Sequence, residues 1–327
     1  MAAGNWKKEK SKTFNDAVNR WITEHFPNLK KSSIKRYSVS INNLLEVFDG
    51  TSLDDMGNAN FSRFEQHRRA NSDTEITEST IRRDFACLSS LLSSCEEWEW
   101  IDVNKVKAYV RGRSKRRLLT EGPPHTRYLS KPEENAALAV CAPKAQQSIE
   151  FAIDTGLRKE EQFSLLKTDI LVDTWEVLVR PEVAKSAKSR KVPLLPRAKH
   201  LVEAILAENT DSPYLFTTYL GDRYSPTSPT MYEALQKACR KSNVPHCSWH
   251  DLRRTCGCRL LQDYGMTMLE VSKWLGHSSV KVTERHYAFL AEDQLREKVR
   301  MSTTHTDQIE LQKQHPHLTH SIKSINN

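Results

Sequence analysis

The chain has 327 residues, with 49 Lys and Arg against 41 Asp and Glu, a formal charge of +8 and a pI near 9.0. That length suggests two domains, and the basic balance suits a polyanion, although charge alone does not separate nucleic acid from an acidic membrane surface. Seven scattered Cys without a Cys-x-x-Cys pair argue against a disulfide framework, and neither a membrane-length apolar run nor a signal-peptide core is present, so the expectation is a cytoplasmic, DNA-facing protein with no membrane partner.

Taken in order, residues 1–11 are short, basic and polar and read as a flexible N-terminus. Four apolar stripes at helical spacing follow: Phe14, Ala17, Val18, Trp21 and Ile22; then Ile34, Tyr37, Ile41, Leu44, Leu45 and Phe48; then Phe61 and Phe64; then Ile81, Phe85, Leu88, Leu91, Leu92 and Cys95. Asp49-Gly50 and Asn71-Ser72-Asp73 supply turns, so residues 12–107 read as a small four-helix domain. From Lys105 to Lys131 the chain holds nine Lys or Arg and a single acid, Glu121, with Gly122-Pro123-Pro124 inside it. Residues 108–126 therefore read as a basic linker. Arg111, Arg113, Lys115, Arg116 and Arg117 are its candidate phosphate contacts; a solvated charge run is the plain alternative.

A second domain is expected over 127–300. Ser130 and Glu133 read as a helix start, and Ile149, Phe151 and Ala152 as a buried helix ended by Gly156. Trp175, Val177 and Val179 alternate as a strand does, Arg190 to Leu194 is a second extended piece, and Pro181 to Ser189 reads as the hairpin tip between them. Ser248 with Asp251 and Thr267 with Glu270 read as capping boxes, with Gly265 and Gly276 as the corresponding stops. His250 and Arg253 then share a helical face, and Tyr287 follows on a third short helical segment. Residues 301–327 are polar and read as a tail. The fold class is mainly α with a small antiparallel β-sheet.

Three runs carry chemistry: Thr155-Gly156-Leu157-Arg158-Lys159-Glu160-Glu161; Lys185-Ser186-Ala187-Lys188-Ser189-Arg190-Lys191-Val192-Pro193-Leu194; and His250-Asp251-Leu252-Arg253 with Leu275-Gly276-His277-Ser278-Ser279 and Thr283-Glu284-Arg285-His286-Tyr287. A guanidinium donates two parallel hydrogen bonds to a phosphate and keeps its charge, so arginines suit an anion clamp, and Glu161, three residues on, can hold Arg158. Histidine and tyrosine are ordinary proton carriers and nucleophiles, yet each alone is more often a helix-end or core residue. His246, Cys247, His250, Cys256 and Cys258 are crowded, but their spacing fits no usual zinc pattern, and no metal or other cofactor is expected.

These runs resemble the two boxes of the tyrosine recombinase (phage integrase) family: Thr-Gly-Leu-Arg-x-x-Glu, the hairpin lysine run, and His-x-Leu-Arg with Leu-Gly-His-Ser-Ser and a Tyr. The family's tyrosine usually stands nine residues after the Leu-Gly-His histidine. Here His286 has that place and Tyr287 follows it; related sequences ending Thr-Glu-Arg-x-Tyr tolerate the shift. The resemblance implies a four-helix SAM-like core-binding domain followed by an α+β catalytic domain, the two gripping a duplex as a C-shaped clamp. The Asn-Pro that often ends the first domain is replaced by Asn104-Lys105. It further implies Arg158, Lys185, His250, Arg253 and His277 as catalytic groups, Tyr287 as nucleophile, and Lys188 as the rival of Lys185 for the general acid. Lys188 and Arg190 join the linker residues as candidate DNA contacts. The implied activity is site-specific recombination through a 3′-phosphotyrosyl bond, on double-stranded DNA, in a homotetramer on paired sites, without metal or ATP. Accessory DNA-bending or directionality proteins belong to the same picture, as does a bacterial or phage-encoded, nucleoid-associated setting. A type IB topoisomerase-like nicking-closing enzyme and an idle DNA-binding protein on the same scaffold are the alternatives. The tail after about Arg300 is expected to act between protomers, with a disordered tail of no role as the plain alternative.

Overall fold

A computed structural model describes residues 11–71, 75–116, 119, 125–184, 188–208, 210–225 and 228–290. Arg117, Lys185 and the tail 301–327 lie outside the described residues. The chain divides into two compact units, 1–123 and 124–327.

In the first unit, Thr13 and Asp16 close a capping box that starts α1, Phe14–His25. Three further amphipathic helices follow: α2, Lys31–Phe48; α3, Asn58–Ala70; and α4, Glu78–Glu97. Their apolar stripes meet in an aromatic core, with ring centroids 5.5 Å apart for Phe14 and Phe48, 5.6 Å for Phe48 and Phe64, and 5.4 Å for Phe64 and Phe85. Edge-to-face and stacked pairs of this kind add to the simple burial of area.

A fifth helix, α5, spans Val106–Lys115, where composition suggested a linker. Val106 and Tyr109, three residues apart, turn one apolar stripe inward among seven basic residues, and charge density hid it. The Asn104 carboxamide oxygen accepts the Val106 N–H and starts the helix. Tyr109 packs against Phe61 and Phe85 and donates its hydroxyl to Glu65 at 3.1 Å. Arg113 then donates to both Glu65 oxygens, at 2.9 and 2.7 Å. Residues 108–115 are thus part of the first unit's fold, which has five helices among the described residues rather than four.

The second unit is built around α7, Pro143–Thr155, which lies against α11, Trp249–Gln262, with Phe151, Ala152, Leu252 and Cys256 buried. The other helices are α6, Lys131–Leu138, opened by the Ser130–Glu133 capping box; α8, Lys159–Gln162; α9, Pro196–Ala207; α10, Thr230–Lys241; and α12, Met268–Leu275. Residues 280–290 form a last helical segment. The sheet has three antiparallel strands in sequential order: β1, Ile170–Leu171; β2, Glu176–Val179; and β3, Arg190–Pro193. Val177 pairs with Val192 and Val179 with Arg190, so the valines face the core at the two-residue period of a strand. The two-residue β1 is too short to leave a sequence pattern. No described helix is long and apolar enough to cross a membrane.

Candidate active site

The site is assembled from helix ends. α7 stops at Gly156, which adopts the left-handed conformation at φ +64°, and an ideal Cβ there would stand 2.5 Å from Leu275 Cδ2. Both the conformation and the space call for glycine. α12 stops the same way at Gly276, φ +66°, where an ideal Cβ would stand 2.9 Å from Arg190 Cδ and Nε. Two helix C-termini, α7 and α12, therefore come together, tied by the Trp274 indole N–H donating to the Thr155 carbonyl at 3.0 Å.

Helix C-termini carry unsatisfied carbonyls and a partial negative charge, which favour cations. Three arginines use them. Arg253, from α11, donates to the Gly156 carbonyl at 2.7 Å and to the Leu275 carbonyl at 2.5 Å. Arg158, at the N-cap of α8, reaches the Gly276 carbonyl at 3.3 Å, and Arg190, from β3, reaches the Trp274 carbonyl at 3.2 Å.

A single carboxylate balances them. Glu161 is fully buried; it accepts from Arg158 Nη1 at 2.8 Å, from the Arg158 backbone N–H at 2.9 Å, and from Arg190 at 3.0 and 2.7 Å. Burial alone would raise its pKa, but the hydrogen bonds and charge of Arg190, with Arg158 behind them, hold it at about 2. Among the described residues, three guanidiniums against one carboxylate leave a surplus of two positive charges, 3 − 1. Arg253 feels this most: burial first, then the Arg158 charge, push its pKa down, yet a guanidinium remains charged at neutral pH. Such an arrangement favours an anion.

The histidines border this cluster. His277, just past α12, shares a 2.8 Å hydrogen bond between Nδ1 and Thr283 Oγ1. Burial, then the charges of Arg253 and Arg158, push its pKa down to about 3. His250 is exposed as a residue, but the protein crowding its ring, then Arg253 and Arg254, also push its pKa down. Both rings are neutral at pH 7, so each can offer an N–H to an oxygen or take a proton.

Tyr287 is 2% exposed, its ring laid on the α11 backbone at Gly257, and burial raises its phenol well above the ordinary range. The Arg253 charge acts on that phenol and on both histidine rings. Arg158, Glu161, Arg253, His250, His277 and Tyr287 are thus gathered in one place.

Arg190 has a different position from the DNA-facing one expected for it: its guanidinium is turned inward onto Glu161 and Trp274. Lys188 is exposed at the hairpin. In the first unit Arg111, Lys115 and Arg116 are exposed, whereas Arg113 is committed to Glu65. Thr283 was read only as part of the Thr-Glu-Arg-x-Tyr run, with no role of its own, and Gly257 was missed. The contact of that threonine with His277 leaves no mark in the sequence, but a glycine inside α11, where alanine would be favoured, was a signal. Among the described residues no cluster of metal-ligating side chains occurs.

The sequence model of the phage integrase family matches residues 127–294, about half of the chain. The chain belongs to the phage integrase family. Curated relatives of this integrase-family chain include the tyrosine recombinase XerC of Bifidobacterium longum, 28% identical over 177 residues, 50% of this chain and 48% of that protein. A XerC-like tyrosine recombinase of Caldanaerobacter subterraneus is 22% identical over 172 residues, 42% of this chain and 43% of that protein. The chain spans about half the length of the curated relatives it matches. Among solved structures, the Tn1549 transposon integrase in complex with a circular intermediate DNA gives a TM-score of 0.70 at 17% identity, covering 85% of this chain and 95% of that one. A lambda integrase dimer bound to a COC′ core site gives 0.68 at 15%, covering 84% and 77%. A lambda integrase tetramer bound to a Holliday junction gives 0.65 at 15%, covering 82% and 78%. At these identities the structures establish the shared fold.

Proposed function

We propose that this chain is a site-specific DNA recombinase that cuts and rejoins DNA through a 3′-phosphotyrosyl bond, acting as four protomers on two DNA sites without metal or ATP. The observation that carries the reading is the cationic cluster: Arg158, Arg190 and Arg253 around Glu161, two charges in surplus, beside two neutral histidines and a tyrosine.

A phosphodiester placed there puts its non-bridging oxygens against Arg158 and Arg253, whose charge offsets what builds on phosphorus as a fifth oxygen approaches. His277 adds an N–H donor. Tyr287 attacks phosphorus, His250 takes the phenolic proton, and Lys185 gives a proton to the departing 5′ oxygen. One P–O bond forms as one breaks, so the ester stores the bond and the reaction runs backwards on the partner strand without nucleotide hydrolysis. Arg190 holds Glu161, and Glu161 holds Arg158; neither needs to touch DNA.

The test is to map covalent protein–DNA junctions on genomic DNA, then place the mapped sequence on a nicked suicide duplex. Tyr287→Phe should abolish attachment with DNA affinity nearly unchanged; attachment surviving in that variant overturns the assignment. Recombinants from two marked duplexes are expected, and supercoil relaxation without recombinants would favour a topoisomerase instead.

A further inference from the structure

We infer that Gly257 is a positioning residue for the nucleophile: its bare Cα is the resting seat of the Tyr287 phenol, which leaves that seat to reach phosphorus. The inference rests on Tyr287 being the nucleophile. An ideal Cβ on Gly257 would overlap the Tyr287 hydroxyl oxygen and Cζ, and would stand 2.8 Å from Cε1. The tyrosine ring therefore occupies the space that any other residue at 257 would fill.

The backbone does not ask for glycine at this position. Gly257 lies in the interior of α11 and is not one of the glycines with positive φ, so its backbone would suit alanine equally. Glycine in a helix interior weakens the helix relative to alanine. The chain accepts that cost at the one place where the ring sits.

The position is also informative. His250, Arg253 and Gly257 are spaced i, i+3 and i+7 and share one face of α11. The seat is thus one turn beyond the arginine that faces the phosphate and two turns beyond the histidine that takes the proton. In the seat the phenol is nearly sealed from water, with the thiols of Cys256 and Cys258 and the charges of Arg253 and Arg254 acting on it. A sealed phenol gives up its proton reluctantly, which is the wrong state for attack. The seat therefore holds Tyr287 in reserve. The second tie on the same helical segment is Thr283, one turn before Tyr287, bonded to His277.

Tetranitromethane nitration of the full chain, read at the Tyr287 peptide by mass spectrometry, tests this. Tyr287 should nitrate far more slowly in the native chain than in the urea-unfolded chain. In Gly257→Ala it should nitrate severalfold faster than in the native chain, with the far-ultraviolet circular dichroism retained. Gly257→Ala should also attach to the suicide duplex severalfold faster. Native nitration as fast as unfolded, or a folded Gly257→Ala with unchanged nitration, overturns the seat. Faster nitration with slower attachment overturns its role as a reserve position. If Gly257→Ala does not fold, the native-against-unfolded comparison still decides. Covalent attachment that persists in Tyr287→Phe sinks the recombinase reading of Tyr287, while nitration still judges whether the ring rests on Gly257.

Discussion

Arg190 grips both oxygens of Glu161, at 3.0 and 2.7 Å, across 29 residues of sequence. A strand thereby fixes the carboxylate that fixes Arg158, so one buried anion sets the geometry of an anion-binding site. Removing it leaves two guanidiniums without their counter-charge. Glu161→Ala should cost about 3–5 kcal/mol of unfolding free energy, the usual penalty for breaking one side of a buried pair. Urea unfolding measures it, and a loss under about 1 kcal/mol, typical of an exposed pair, would contradict this role.

The same pair predicts an acid dependence. Glu161 is held at about 2 in the folded chain against an ordinary value of 4.5. A depressed carboxylate contributes stability above its unfolded pKa and loses it as pH falls through the folded one. Stability should therefore fall between roughly pH 4.5 and 2, and Glu161→Gln should flatten that part of the curve relative to the native chain. Parallel curves for the two proteins would mean that the carboxylate is not ionised in the fold.

Much of this was legible locally. Ser248 with Asp251, Thr267 with Glu270, and the stops at Gly156 and Gly276 are decided within one turn, and all of them stand in the structure. What was not legible depends on contacts far apart in sequence. Arg190 looked like a hairpin-side DNA contact because nothing near it announces Glu161. Residues 108–115 looked like a linker because Val106 and Tyr109 are two apolar positions in a dense basic run, and only packing against the first unit's core, with Tyr109 on Phe61 and Phe85, makes them a helix face. Gly257 is explained only once Tyr287, thirty residues later, lies on it.

Binding of DNA should take up protons. His277 stays neutral down to about pH 3 because burial, Arg253, Arg158, His286 and His250 all oppose its charge. A bound phosphate supplies the missing negative charge, so the pKa rises in the complex. Proton uptake then accompanies binding, and affinity should strengthen as pH falls from 7 towards 5 at constant salt. Calorimetry in buffers of different ionisation enthalpy measures the uptake, and His277→Gln should reduce it; no buffer dependence at pH 5 would mean that His277 stays neutral in the complex.

DNA affinity should fall steeply with salt, and the first unit's basic helix should carry part of the slope. Arg111, Lys115 and Arg116 are exposed, whereas Arg113 is held by Glu65. Each lost phosphate contact lowers the slope of log affinity against log salt by about 0.9. Replacing Arg111, Lys115 and Arg116 by Ala should flatten the slope; Arg113→Ala should instead lower unfolding stability with little change in slope. An unchanged slope in the triple variant would make this run a solvated surface.

Thr283 is the link between His277 and the helical segment that carries Tyr287. Its hydroxyl is fully buried and lies 2.8 Å from His277 Nδ1. That bond fixes the ring's orientation and sets which nitrogen is left for the phosphate; a neighbour that orients a histidine in this way selects its tautomer. Thr283→Val keeps the shape but removes the hydroxyl, so the ring is free to rotate and its Nδ1 loses its partner. The expected result is slower covalent attachment to the suicide duplex, with DNA affinity close to native, because the arginines still hold the phosphate. Thr283→Ser restores the hydroxyl and should restore most of the rate, although it gives up a buried methyl group. A purely structural role predicts a different pattern, in which Ser and Val lose stability without splitting in rate. Single-turnover attachment rates for the two variants, measured beside their urea midpoints, separate the cases, and equal rates for Val and Ser would remove Thr283 from the site.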